Sequence, residues 1–140
     1  MSFGEWYVRR GRIGRRTWWS QYFLPLFLLS LLAGIADEVL GYPGLVAEPG
    51  DSGLYAWAGG PVELGLLIFL LAPSVSSQVT RLHDRGQSAW WLLFNLVPVV
   101  GPLVLFVRMG FQRGDGGPNR YGPPEGSAVD PLGAGLDTWA

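Results

Sequence analysis

Three stretches of the chain are apolar almost without interruption, and the charged residues are collected between them. Residues 17–36 and 89–107 contain no Asp, Glu, Lys or Arg, and residues 61–80 contain only Glu63. Runs of this kind approach the roughly 20 residues that a helix needs to cross the hydrocarbon core of a bilayer. A soluble domain would instead alternate apolar and polar positions at a helical or strand period. The pattern predicts an all-α, polytopic membrane protein with two full transmembrane helices, at 17–36 and 61–80. A third segment, 89–107, is broken near its middle by Pro98, Gly101 and Pro102, because proline removes a backbone donor and disrupts the helix.

Two readings of that third segment follow, a kinked span or a re-entrant hairpin. The hairpin returns Arg108, Arg113 and Arg120 to the side that holds the other arginines, and is preferred on that ground; it requires protein around the turn. In the first span, Trp18 and Trp19 suit the aromatic belt at the headgroup level. Pro25 is tolerable there because neighbouring groups can satisfy the carbonyl it frees. Gly34-Ile35-Ala36 resembles a signal-peptide cleavage site. The run is nevertheless longer than the usual apolar region of about 7–15 residues, and two further apolar segments follow. The second half of the second span carries Pro73, Ser74, Ser76, Ser77 and Gln78, which should face protein. Bonds of such groups across helices are worth about 1 kcal/mol or less.

The intervening segments supply the candidate chemistry. Residues 1–16 place Arg9, Arg10, Arg12, Arg15 and Arg16 beside Phe3, Trp6, Tyr7 and Ile13, which reads as a basic interfacial arm. Arginines flanking the first span also predict a cytoplasmic N-terminus. Residues 37–60 carry Asp37, Glu38, Glu48 and Asp51 and read as a solvated acidic outer loop, since the spacing of a calcium loop is missing. Glu63, an ionisable group within a span, is a functional candidate by default, although the start of a helix also favours a carboxylate.

Residues 81–88 form a motif hinge. Arg81 to Arg85 can close a helix with Gly86 as its C-cap, and Ser88 can cap the next segment. Asp84 lies one turn from Arg81 and can pair with an arginine. A His83-Asp84 pair beside arginines has the chemistry of a proton relay or a phosphate site. No third element supplies a nucleophile or holds a substrate, so a structural ion-pair network is the preferred reading. Residues 108–124 are a Gly/Pro-rich turn without the Gly-Lys-Ser/Thr of a phosphate loop, and residues 125–140 read as a disordered tail.

Composition changes this picture little. At 140 residues the chain fits one domain, taken as 1–124. Its ten basic residues are all arginine, and with its richness in Gly, Ala, Leu and Pro this points to a bacterial source. The absence of cysteine removes disulfide and thiolate chemistry, and a net charge of -1 argues against nucleic acid as a partner.

Three blocks together carry a resemblance. They are Gly11-Arg12-Ile13-Gly14-Arg15-Arg16 with Trp18-Trp19, Arg81-Leu82-His83-Asp84-Arg85-Gly86 with Trp90-Trp91, and Gly117-Pro118-Asn119-Arg120-Tyr121-Gly122. In order and spacing the chain resembles the YhaH-like bacterial inner-membrane family, domain of unknown function 805, over roughly residues 3–124. It departs from that pattern in the 37–60 loop and in the tail. The resemblance implies a protein of the bacterial cytoplasmic membrane and no particular reaction, catalytic residue, metal or cofactor.

The sequence thus predicts a motif cluster of Arg12, Arg16, Arg81, His83, Asp84, Arg85, Gly86, Asn119, Arg120 and Tyr121 on the cytoplasmic face. Two activities are carried forward. One is a non-enzymatic scaffold or regulatory module whose partners are the lipid bilayer and a membrane protein, or a second copy of the chain. The other is a small transporter or channel subunit with a path along the second span past Glu63.

Overall fold

The computed structural model describes residues 2–42 and 60–127. Among these residues regular structure is helical throughout, apart from one isolated bridge between Asn119 and Gly122. Helix α1 is Phe3–Tyr7, a short element held by a reciprocal cap in which Ser2 and Glu5 each satisfy the other's backbone N–H. Helix α2 runs over Arg15–Val39 and α3 over Pro61–His83. A 3-10 helix, Ala89–Leu96, and helix α4, Val100–Gly110, complete the order.

Both α2 and α3 are long and apolar enough to cross a membrane, each with a mean hydropathy of 1.6. Only 22% and 17% of their most apolar windows are buried, so the apolar surface of this pair is not covered as the core helix of a soluble protein would be. Leu28, Leu32 and Ile35 on α2 and Leu67, Ile68 and Leu71 on α3 are among the bare side chains. The two helices run antiparallel. At one end Asp37 of α2 accepts from the N–H groups of Val62 (3.0 Å) and Glu63 (2.7 Å). At the other, the Ile13 N–H just before α2 donates to the Thr80 carbonyl.

Each long helix contains a proline, and the amino-terminal arm answers both. Pro25 cannot donate to the carbonyl of Gln21, four residues earlier. The helix widens there into a π turn over Trp18–Phe23, and the freed Gln21 carbonyl accepts from Trp6 Nε1 at 2.9 Å. Pro73 frees the Phe69 carbonyl in the same way, and the Tyr7 hydroxyl donates to it at 2.8 Å. Ser76 binds the arm again, accepting from Arg9 N (3.2 Å) and donating to the Tyr7 carbonyl (3.4 Å). Residues 6–9 therefore lie against the two long helices. The expected interfacial arm thus also contacts the helix pair through residues 6–9, because two proline-freed carbonyls in an apolar setting require donors.

Other boundaries also shift. Helix α2 continues past residue 36 to Val39, so Asp37 and Glu38 belong to its last turn. Asp37 is fully buried as the cap of α3, not solvated in a loop. The middle of the expected acidic loop, with Glu48 and Asp51, and the tail from residue 128 lie outside the described residues. Residues 125–127 of the expected disordered tail are placed, and Glu125 is tied to the arm, accepting from Arg9 and from the Gly14 N–H. Trp18, expected in the headgroup belt, is instead 4% exposed and stacks on Phe23. It belongs to a core of Ile13, Trp18, Tyr22, Leu82, Leu105 and Met109, which sits at the arginine-bearing end of the molecule.

The third apolar segment folds back on itself. Its chain reverses between Val97 and Val99, where Val99 takes a left-handed φ of 65°. A Cβ at Gly101 would overlap the Phe94 carbonyl, so only glycine lets the two arms approach this closely. Arg108 near the end of α4 then lies 3.9 Å above the Trp91 ring near the start of the 3-10 helix.

Candidate functional site

The second motif block ends α3. Gly86, at φ 62°, closes the helix in a Schellman pattern, with Gly86 N–H donating to His83 and Gln87 N–H to Leu82. Ser88 then caps the 3-10 helix through Trp90 N–H. This turn carries Arg81, fully buried in the last turn of α3, and Asp84, 5% exposed at its C-cap. The first block brings Arg12, also 5% exposed, against Asp84. Asp84 holds both arginines, accepting from Arg12 Nε at 3.2 Å with one oxygen and from Arg81 Nη1 with the other.

The remaining donors of the two guanidinium groups go to backbone carbonyls. Arg12 donates to Asp84 O (3.2 Å), Asp115 O (2.6 Å), Gly117 O (2.8 Å) and Gly122 O (3.0 Å). With the Asp84 carboxylate this engages all five guanidinium donors. Arg81 donates to Met109 O (2.8 Å), Gln112 O (2.6 Å) and Ile13 O (3.5 Å). Two buried cations against one carboxylate leave a net positive charge. Backbone carbonyls offset it, among them that of Met109 in the last turn of α4, a group left without a helical partner and carrying partial negative charge. A Cβ at Gly114 would run into the Asp84 carboxylate, which explains glycine at the point where the chain passes this centre.

The third block closes around the same turn. Asn119 Nδ2 donates to the His83 carbonyl (3.0 Å) and to Asp115 Oδ2 (2.9 Å), while its Oδ1 accepts from the Tyr121 N–H (2.9 Å). Arg120 Nη2 donates to the Gly86 carbonyl at 3.0 Å. Tyr121 stacks on the His83 ring with centroids 3.7 Å apart and planes 7° from parallel.

Eight of the ten sequence-predicted cluster residues thus meet: Arg12, Arg81, His83, Asp84, Gly86, Asn119, Arg120 and Tyr121. Arg16 is exposed and stands outside the network, only its carbonyl accepting, from Ser20. Arg85 reaches Gln87 Oε1 at 3.2 Å rather than the knot. Asp84, expected to pair with one arginine, pairs with two, so both of its oxygens are occupied.

Glu63 lies at the opposite end, half-buried at the start of α3, and its Oε2 is buried with no bonding partner among the described residues. Between α2 and α3 is a cavity of about 310 Å³, lined by Tyr22, Phe27, Ser30, Leu67, Ser74 and Gln78 among others. Among the described residues no group of three or more His, Cys, Asp or Glu side chains is placed to hold a metal ion. Sequence reasoning missed Trp6, Tyr7 and Asp37. For the first two the signal was present, since each long helix contains a proline and the arm contains aromatic donors.

The sequence profile of the family described as Protein of unknown function (DUF805) matches residues 7–123, a range that holds all three motif blocks. The inner membrane protein YhaH of Escherichia coli (strain K12) is 32% identical over 127 residues, covering 85% of this chain and 94% of that protein. The inner membrane protein YhaH of Escherichia coli O157:H7 matches to the same extent. No solved structure matches the chain. With two long apolar helices and this likeness along most of its length, the chain is a small all-α protein of the bacterial inner membrane and belongs to the DUF805 family.

Proposed function

We propose that the chain is a multi-pass inner-membrane scaffold or regulatory module without catalytic activity, with its N-terminus and its Gly117–Gly122 turn on the cytoplasmic side. The observation that supports this best is the closure of the motif knot. Arg12 and Asp84, the most reactive-looking groups, are engaged by each other and by backbone, so the motif serves to join three segments at one end of the molecule. All ten arginines lie in those segments or in the adjoining end of α4, which the positive-inside rule assigns to the cytoplasm.

Reporter domains fused after Ala140 test the orientation: a reporter active in the cytoplasm is expected to work, and a periplasmic one to stay silent. The opposite result overturns the proposed topology. For the activity, His83→Ala is expected to change recovery of a cross-linked membrane partner while leaving reconstituted vesicles as impermeable as before. A second reading, a transporter or channel subunit, draws on the cavity between α2 and α3 and its serine and glutamine lining. Solute flux through reconstituted protein that falls in Glu63→Gln would favour it over the scaffold.

A further inference from the structure

On the proposed topology the third apolar segment dips into the bilayer and returns, and the tip of this hairpin is bare. Residues 93–100 are exposed throughout. Between Val97 and Val99 the backbone is not helical, and Val99 holds a left-handed φ of 65° that a β-branched residue rarely adopts. Irregular backbone at membrane depth is tolerated only where it is buried in protein or lines a water-filled cavity. Asn95 adds to the requirement, since its side-chain amide makes no hydrogen bond among the described residues.

The same chain carries a matching concavity. The cavity of about 310 Å³ between α2 and α3 is walled by Tyr22, Phe27, Ser30, Leu71, Ser74 and Gln78 among others. Gln78 Nε2 donates to Ser74 Oγ at 3.2 Å, while Gln78 Oε1 and the Ser30 hydroxyl have no partner among the described residues. A lipid chain seated there would leave both groups unsatisfied in hydrocarbon, whereas a protein amide can bond them.

The hairpin tip and the groove lie at one depth. Arg81 Nε bonds the Met109 carbonyl and Arg108 lies on Trp91, so these four residues mark one level at the arginine-bearing end. Counting inward at roughly 2 Å per residue along the 3-10 helix puts Asn95 about 8 Å deeper than Trp91. At roughly 1.5 Å per residue along α3, Gln78 and Ser74 lie about 5 and about 11 Å deeper than Arg81. The hairpin also stands beside the groove, because Phe106 of α4 packs on Trp18 and Phe23, two residues of the groove wall.

We propose that the hairpin of one copy docks in the α2–α3 groove of a second copy, with the Asn95 amide bonding Gln78 across the interface. A second copy is the occupant the geometry favours. Both halves of the contact belong to one chain, on neighbouring surfaces and at one depth, and a two-fold axis along the membrane normal preserves depth and forms the contact twice. Leu93 and Leu96, a third of a turn from Asn95 on a helix of three residues per turn, stay toward lipid. The inference rests on the re-entrant hairpin of the proposed topology.

Co-expression of two single-cysteine forms of the full chain with different tags, followed by oxidation of the membranes with copper phenanthroline, tests the contact. Val97→Cys with Leu71→Cys, hairpin turn with groove wall, is expected to give a mixed disulfide dimer. Val97→Cys with Ile68→Cys is expected to give none, because Ile68 is as exposed as Leu71 and less than one turn away but is not in the groove. In lipid vesicles, energy transfer between differently labelled copies reads the association itself. Asn95→Leu, which removes no bond within a copy, is expected to weaken it about tenfold, as loss of one polar bond in each half of a symmetric pair implies. Gln78→Leu is expected to do the same, and the double variant to weaken it no further. Absence of the mixed disulfide while Arg113→Cys is labelled only from the cytoplasm would overturn the docking and leave the topology standing. Equal cross-linking at Ile68, additive effects of the two leucine variants, or capture of a different membrane protein by Val97→Cys in place of a second copy would overturn it as well. Labelling of Arg113→Cys from the periplasm would instead remove the topology, and the docking with it.

Discussion

Asp84 is the residue on which three segments converge. It carries the only carboxylate that bonds Arg12 and Arg81 among the described residues, and all three side chains are nearly or fully buried. Replacing it with alanine leaves two desolvated guanidinium groups facing each other, and removing one partner of a buried ion pair typically costs about 3–5 kcal/mol. Asp84→Ala is therefore expected to lower the thermal midpoint in detergent sharply, and Asp84→Asn, which keeps one carbonyl acceptor, to lower it less. Equal stability of all three proteins would show that the knot is not the clamp described. The sequence made this centre legible in part, because RLHDRG spacing sets Arg81 and Asp84 on one face of a helix. It could not show that Arg12, 72 residues away, takes the second oxygen. Nor could it show that Arg16 and Arg85, equally basic, stay out: burial, not residue type, separates Arg12 and Arg81, the two arginines that hold Asp84, from the others.

At the scale of elements, the two long helices are shaped by their prolines and by the arm that repairs them. The sequence indicated that neighbours would satisfy the carbonyl freed by Pro25. Which neighbours remained hidden, because the contacts of Trp6 with Gln21 and of Tyr7 with Phe69 depend on how the arm lies in space. A coupling experiment follows from the bond to Phe69. Tyr7→Phe removes the hydroxyl and leaves a backbone carbonyl unpaired among apolar groups, at a cost of about 1–3 kcal/mol. In a Pro73→Ala background the helix supplies its own N–H to Phe69, so the same loss should shrink to a few tenths of a kcal/mol. Unfolding in mixed micelles of the wild type, both single variants and the double variant measures the difference. Additive effects would mean that the Tyr7 hydroxyl does not act through the proline-freed carbonyl. The broken third segment was more legible, since Pro98, Gly101 and Pro102 announce a break. The role of Gly101 as the point of contact with Phe94 emerges only once the arms are folded together.

At the scale of the whole molecule, charge is divided between the ends. The arginine-bearing blocks meet at one end of the α2–α3 pair, and Asp37, Glu38 and Glu63 sit at the other. This division was visible in the sequence as charge blocks between apolar runs. What it left open was whether residues 89–107 cross the bilayer or return. The folded-back arms, with Arg108 on Trp91, and the bonds from Arg81 to Met109 and Gln112 place the exit of this segment beside its entrance. On the proposed topology, a segment that enters and leaves at the same end has its tip within the membrane. The chain has no cysteine, so single substitutions report position without interference. Gln87→Cys and Arg113→Cys are both expected to react with a membrane-impermeant maleimide only from the cytoplasmic side. Leu96→Cys near the tip, 77% exposed in the protein, is expected to react from neither side, since lipid rather than water covers it. Labelling of Arg113→Cys from the periplasm would require a full third span and would pull the Asn119–Gly122 turn away from His83. The contacts of Arg12 with Gly117 and Gly122 could not then form, so one labelling pattern tests both the hairpin and the knot that depends on it.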